Sequence, residues 1–175
     1  VAVVPVQHSS SPRSGSDGIF QCGNCATVSR PASSRICEAN NTKIACAESL
    51  TGGLLADAFV RIPGASNVLL GSAVTYDINA KASILHVDKA LLDREGAVHP
   101  EVARQMAVGT ARLYSQPEYG DRIIGLSTTG VAGPGPDGDK PAGLVYVGLR
   151  IPRKPSPRTM PKCSKPVELH LDGMR

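Results

Sequence analysis

The stretch KIACAESLTGGLLADAF, residues 43–59, joins a short apolar run to a helix-like pattern through an acid, two hydroxyls and two glycines. Two readings of that joint compete. In one, Ser49 or Thr51 caps the following helix and Gly52-Gly53 makes a tight turn. In the other, Ser49 is a nucleophile aimed from a strand-to-helix turn, and the glycines let N–H groups at the helix start approach an anion. A second polar group is Thr75-Tyr76-Asp77-Ile78-Asn79-Ala80-Lys81. A lysine brought to a serine acts as its base once burial lowers its pKa from about 10.4 toward neutrality. Otherwise Lys81 is a surface cation on a helix capped by Asp77 or Asn79. The third is STTGVAGPGPDGDKPAG, residues 127–143. At the carboxyl end of a strand such a loop holds an oxyanion or phosphate on backbone N–H groups and the Thr129 hydroxyl, or it is a rigid turn.

Strands and helices alternate around these groups. KIACA is a short buried strand. GGLLADAFVRI sets Leu54, Leu55, Ala58, Phe59 and Ile62 on one helical face, and Pro63-Gly64 stops it. NVLLGSAVTY is the next strand, followed by short helices at DINAKASIL and at VDKALLDREG, the latter with Gly96 as C-cap. HPEVARQMAVGTARLY forms a longer helix, with Pro100 in its first turn and Val102, Met106, Gly109 and Leu113 along one face. RIIGLST, AGLVYVGL and VELHL complete the strands. The pattern predicts an α/β chain: a three-layer-type sandwich with a mixed, mostly parallel sheet and helices packed on it. Residues 1–42, rich in Ser, Pro, Asn and Gly, show no period of either kind and are expected to be a poorly ordered head. The α/β domain is expected over 43–175, with a basic Pro-rich insertion at about 150–166.

Composition narrows the function classes. Aromatics are scarce, with four Tyr, two Phe and no Trp, so the core must be aliphatic. No apolar run approaches the ~20 residues that cross a bilayer, which predicts a soluble, cytoplasmic protein without a membrane partner. The Ser/Arg bias of the head leaves an organelle transit segment as the alternative. Net charge is +4, yet residues 43–149 carry nine Lys/Arg against eleven Asp/Glu, and residues 150–175 seven against two. A solvated basic tail with no interleaved aromatics argues against a nucleic-acid partner. Of the five cysteines, Cys22 and Cys25 form a CxxC that lacks a second half at zinc-finger spacing. Reduced thiols, with Cys46 in the core, are the expectation, and no metal site is expected.

Taken in order, AESLTGG, RIPGASNVLLGSAVTYDINAKASILHV, GAVHPEVARQMAVG, STTGVAGPGPDGDKPAGLVYVGL and ELHLDGMR make the chain resemble the CinA C-terminal domain family, the nicotinamide-nucleotide amidases. The resemblance implies conversion of nicotinamide mononucleotide and water to nicotinic acid mononucleotide and ammonia, with no metal or organic cofactor. It implies Ser49 as nucleophile, Lys81 as its base, Tyr76 as the hydroxyl supporting the pair, and Thr129 in the loop that positions the reacting group. It also implies a substrate-binding set of Glu48, Thr51, Gly52, Gly53, Asn79, Gly130, Gly133 and Arg175, the last suited to the phosphate. The partners it implies are a small-molecule nucleotide and further copies of the chain in a homo-oligomer. Three departures accompany it. SRICEANN shows no stripe for the family's helix before the first strand, Met174 replaces an acid, and the closing helix beyond Arg175 is expected to be missing. The alternative function is a non-catalytic nucleotide-binding or interaction module of the same fold, or a truncated inactive product.

Overall fold

Period-2 alternation organises the first strand, β1 (Lys43–Glu48). Ile44 and Cys46 join an apolar cluster on one face of the sheet, whereas Ala45 and Ala47 face the other. The computed structural model describes residues 32–152 and 167–170. Five strands lie there: β1, β2 (Leu69–Val74), β3 (Ile123–Gly130), β4 (Leu144–Arg150) and β5 (Val167–His170). They form one sheet in the order β2-β1-β3-β4-β5. Strand β1 runs parallel to both β2 and β3, and β4 and β5 are added antiparallel. The fold is therefore α/β with a mixed sheet.

The helices are α1 (Ala32–Ala39), α2 (Leu54–Val60), α3 (Ile78–Leu85), α4 (Lys89–Glu95) and α5 (Pro100–Leu113). Cys37 of α1 and Leu55 and Phe59 of α2 pack with Ile44, Cys46 and Val68 on one face. On the other, Leu85, Leu91, Leu92, Val102 and Met106 from α3, α4 and α5 pack with Ala47. The chain leaves β1 through α2 to reach β2 on one side, then returns through α3–α5 to β3 on the other. The carboxyl end of β1 is thus a topological switch point, the crevice where open α/β sheets hold ligands.

Close approach of α5 to the sheet depends on residues without side chains. A Cβ on Gly125 would fall against the Ala107 carbonyl, and one on Gly148 against that of Ala103. Two hydroxyls fasten the same contact: Thr110 Oγ1 donates to Cys46 O at 2.8 Å and Ser127 Oγ to Ala103 O at 2.6 Å.

Two expectations are corrected. The ordered domain begins before residue 43, because residues 32–39 form α1, which follows no apolar stripe. It buries Ser34 and Cys37 while Ile36 points outward at 61% exposure. Helix α2 ends at Val60, and Leu54 and Ala58 are exposed; its inward residues are Leu55, Ala56 and Phe59. The remainder of the head, the CxxC cysteines, residues 153–166 of the basic insertion and the region of the closing helix lie outside the described residues.

Helix α2 takes its N-terminal cap from an unusual place. Its N-cap residue, Gly53, has φ 112° and no side chain, and Gly52 precedes it with φ 55°, so both positions favour glycine. The missing acceptor comes from Glu48, the last residue of β1. Its Oε2 accepts from Gly53 N (2.9 Å), Leu55 N (3.0 Å) and Thr51 Oγ1 (2.7 Å). Its Oε1 accepts from Ala56 N (3.0 Å) and Ser72 Oγ (2.8 Å). Burial alone would raise the Glu48 pKa; the donors, led by Thr51, outweigh it and hold the carboxyl below its usual range. Its contribution to stability is therefore present above the unfolded value of about 4.3 and drains as pH falls through the lower folded value. Glu48→Gln puts an amide NH₂ against donors on one side. It should cost about 3 kcal/mol and lower Tm by roughly 6–12 °C at pH 7. Thermal melts followed by circular dichroism check this; an unchanged Tm would refute the cap.

Candidate active site

Ser49 follows Glu48 at the carboxyl end of β1, so its side chain points to the opposite face of the sheet, toward α3. Its backbone N–H is held by Thr128 O at 3.1 Å. Helix α3 is capped by Asp77, whose Oδ2 accepts from Ala80 N at 2.9 Å. One turn later it presents Lys81, whose side chain is fully buried. Lys81 Nζ lies 3.0 Å from Ser49 Oγ and donates to the carbonyls of Thr75 (2.6 Å) and Tyr76 (3.0 Å). Burial, opposed in part by Asp77, lowers its pKa to about 8. A neutral amine has two N–H bonds, and the two carbonyls match that number. The lone pair is then left facing Ser49, which is the arrangement a general base requires.

The structure separates the other expected site residues. Thr51 Oγ1 gives its proton to Glu48 and accepts from Thr128 Oγ1 at 2.7 Å, so it belongs to the cap network. Gly52 N–H is taken by Ser49 O and Gly53 N–H by Glu48, so neither is available to an oxyanion. The anion seat at the start of α2 is filled by the protein's own carboxylate, and Glu48 is a structural group rather than a ligand contact. Tyr76 touches Lys81 through its main-chain carbonyl, and the residue is 73% exposed. Thr129 is fully buried and donates its hydroxyl proton to Ala97 O at 2.8 Å, which ties β3 to the α4–α5 joint. Gly130 accommodates the neighbouring strand, since a Cβ there would strike Leu144 O. Asn79 and Gly133 are exposed at the rim, and Arg175 lies outside the described residues.

Sequence reasoning missed the donors that remain. The N–H groups of Leu50 and Thr51, directly after Ser49, make no hydrogen bond among the described residues. The N–H of the residue after the nucleophile is a standard oxyanion donor, so the turn itself carried this signal. No group of three or more His, Cys, Asp or Glu among the described residues is placed to hold a metal. No helix there is long and apolar enough to cross a membrane.

Known proteins share this architecture. The family profile for the CinA C-terminal domain matches residues 28–164. A competence-damage inducible protein of Clostridium botulinum is 43% identical over 136 residues, covering 77% of this chain and 31% of its own length. Its counterpart in Caldanaerobacter subterraneus is 48% identical over 112 residues, covering 63% of this chain and 26% of that protein. The chain thus spans less than a third of the curated relatives it matches. Among solved structures, a competence-damaged protein (CinA) superfamily protein from Escherichia coli superposes with TM-score 0.65 at 29% identity, over 81% of this chain and 74% of that one. A competence/damage inducible protein from Agrobacterium tumefaciens gives TM-score 0.57 at 36% identity, over 67% and 70%. On the family match, the chain belongs to the CinA C-terminal domain family.

Proposed function

We propose that the chain is a Ser-Lys amidohydrolase acting on the carboxamide of nicotinamide mononucleotide, giving nicotinic acid mononucleotide and ammonia. The observation that carries the reading is the 3.0 Å approach of a fully buried Lys81 to Ser49, with two carbonyls aligning the amine. A structural lysine would be expected to pair with a carboxylate or reach solvent; among the described residues this one does neither.

The steps follow from these positions. Ser49 Oγ attacks the carboxamide carbon as its proton passes to Lys81 Nζ. The carbonyl π electrons move onto oxygen, and the Leu50 and Thr51 N–H groups face that oxyanion. A donor of this kind is typically worth about 3 kcal/mol of barrier. Lys81 returns the proton to the amide nitrogen as the C–N bond breaks, releasing ammonia and leaving an ester on Ser49. Water then attacks the ester, Lys81 takes its proton, and the acid departs with Ser49 Oγ reprotonated.

Purified protein should release ammonia from nicotinamide mononucleotide, and Ser49→Ala and Lys81→Ala should each lower kcat by about a thousandfold or more. Tyr76→Phe should keep turnover within a few-fold, because only its carbonyl holds Lys81. Turnover that survives loss of the Ser49 hydroxyl would end the covalent reading.

Because the free base is required, kcat/KM should rise tenfold per unit of pH below about 8 and level off above it. About one molecule in ten has the neutral amine at pH 7. Stability carries the complementary sign. The folded pKa lies below the unfolded value of about 10.4, so burying the ammonium costs stability below about 8, and that cost fades as pH rises toward 10.4. Lys81→Met should therefore be inactive yet melt higher than the wild type at pH 7, with the gap closing near pH 10. An inactive variant that melts lower at pH 7 would contradict the buried-cation account.

A further inference from the structure

Among the described residues one buried side-chain oxygen or nitrogen has no hydrogen-bond partner, Thr75 Oγ1. Thr75 is 1% exposed, so bulk solvent does not meet the hydroxyl either. A buried hydroxyl left unpaired weakens a fold, and such a group calls for a reason. Its position supplies one. Ala47 and Ala73 are partners on β1 and β2 and pack in one cluster on the α3 face. The ladder continues beyond them, with Thr75 N donating to Glu48 O at 2.9 Å. Strand alternation therefore sets Ser49 and Thr75 side by side on that face, while Ser72 faces Glu48 on the other. Lys81 Nζ spans the pair, 3.0 Å from Ser49 Oγ and 2.6 Å from Thr75 O.

We propose that Thr75 is a further catalytic residue, whose hydroxyl donates to Ser49 Oγ as that oxygen gives up its proton. The inference rests on the Ser49–Lys81 pair of the proposed function. At rest Ser49 Oγ carries its own proton, directed at Lys81, and is a neutral acceptor. During attack that proton passes to Lys81 Nζ, Oγ bonds the carboxamide carbon, and negative charge builds on Oγ before the new bond is complete. Thr75 keeps its own proton and only points it at that oxygen. Side chains on paired residues of adjacent strands start about 4.8 Å apart, so a turn about the Thr75 Cα–Cβ bond is enough to bring the two oxygens together. A hydrogen bond to a charged oxygen is roughly twice as strong as a neutral one. A bond absent from the resting protein and made during attack lowers the barrier without tightening substrate binding, so it raises kcat and leaves KM alone. The hydroxyl is held where the reacting oxygen is the group that satisfies it.

The competing role is packing alone. Thr75→Val keeps the side-chain shape and deletes the hydroxyl, whereas Thr75→Ser keeps the hydroxyl. Thr75→Val should melt roughly 2–4 °C higher than the wild type, because the unpaired oxygen is gone. It should also release ammonia with kcat about thirtyfold lower, KM within about twofold and the pH midpoint of kcat/KM unmoved. Thr75→Ser should stay within a few-fold of the wild type. Labelling of Ser49 by a fluorophosphonate, read by mass spectrometry, should slow by a similar factor in Thr75→Val and needs no nucleotide substrate. An unchanged kcat and labelling rate in Thr75→Val would overturn the assignment. So would a lower Tm, which would mean that the hydroxyl is partnered at rest, or a shifted pH midpoint, which would place the effect on Lys81. A wild type whose Ser49 takes no label would remove the nucleophile and this role with it. Labelling without ammonia release would instead refute the amidase reading, and the labelling ratio would still decide on Thr75.

Discussion

A carboxylate buried at the centre of the molecule is tolerated only if its charge is met, and Glu48 meets that condition with five donors. Those donors come from different parts of the fold. Three are main-chain N–H groups at the start of α2, one is Ser72 on β2, and one is Thr51, itself bonded to Thr128 on β3. The carboxylate therefore binds the carboxyl ends of three adjacent strands and one helix to a single point. Were it neutral or absent, the turn from 49 to 53 would lose the acceptors that fix its course, and Ser49 would have no defined direction. An ion that costs much to desolvate becomes a device for precision because its partners cannot be exchanged for water.

Lys81 shows the opposite use of burial. Among the described residues nothing of opposite charge touches it; it has two carbonyls and a hydroxyl, and Asp77 acts on it only at a distance. Desolvation therefore dominates and lowers the pKa of the amine to about 8. In the proposed reaction, the same burial that weakens the fold below pH 8 supplies the base. An acid partner would have stabilised the protein and removed the chemistry.

The order of strands and helices was readable because period and punctuation agree along the chain. Pro100, Gly96 and the alternation in β1 each announce the element they occupy. Helix α1 was not readable. It is eight residues long and buries a serine and a cysteine rather than an aliphatic stripe, so its existence rests on packing against Ile44 and Val68. Ser49 and Lys81 stood out by residue type, but residue type alone left a cap and a surface cation open, and their pairing was implied by the family resemblance. What each neighbour does could not be read, because it depends on partners far along the chain: Thr129 on Ala97, Thr51 on Thr128, Glu48 on Ser72. The glycines illustrate the difficulty. Gly52-Gly53 fits an anion seat and a tight turn equally well, and the structure is both, with the anion supplied from within.

The adjacency of Glu48 and Ser49 now has a physical account. Strand alternation sends consecutive side chains to opposite faces, so a two-residue sequence at the end of β1 serves both layers of helices. The acid turns toward α2 and fixes the turn; the hydroxyl turns toward α3 and meets the lysine. Exchanging the order would place a carboxylate against Lys81 and a hydroxyl against the α2 N–H groups. The first change would raise the lysine pKa and remove the base. The second would leave a short neutral acceptor where three N–H groups converge. An intervening residue would put both side chains on one face and bring the acid back toward the amine. The spacing is therefore set by the pleat of the strand, and it lets one strand end hold a buried anion on one face and meet, on the other, a buried amine whose pKa is lowered to about 8.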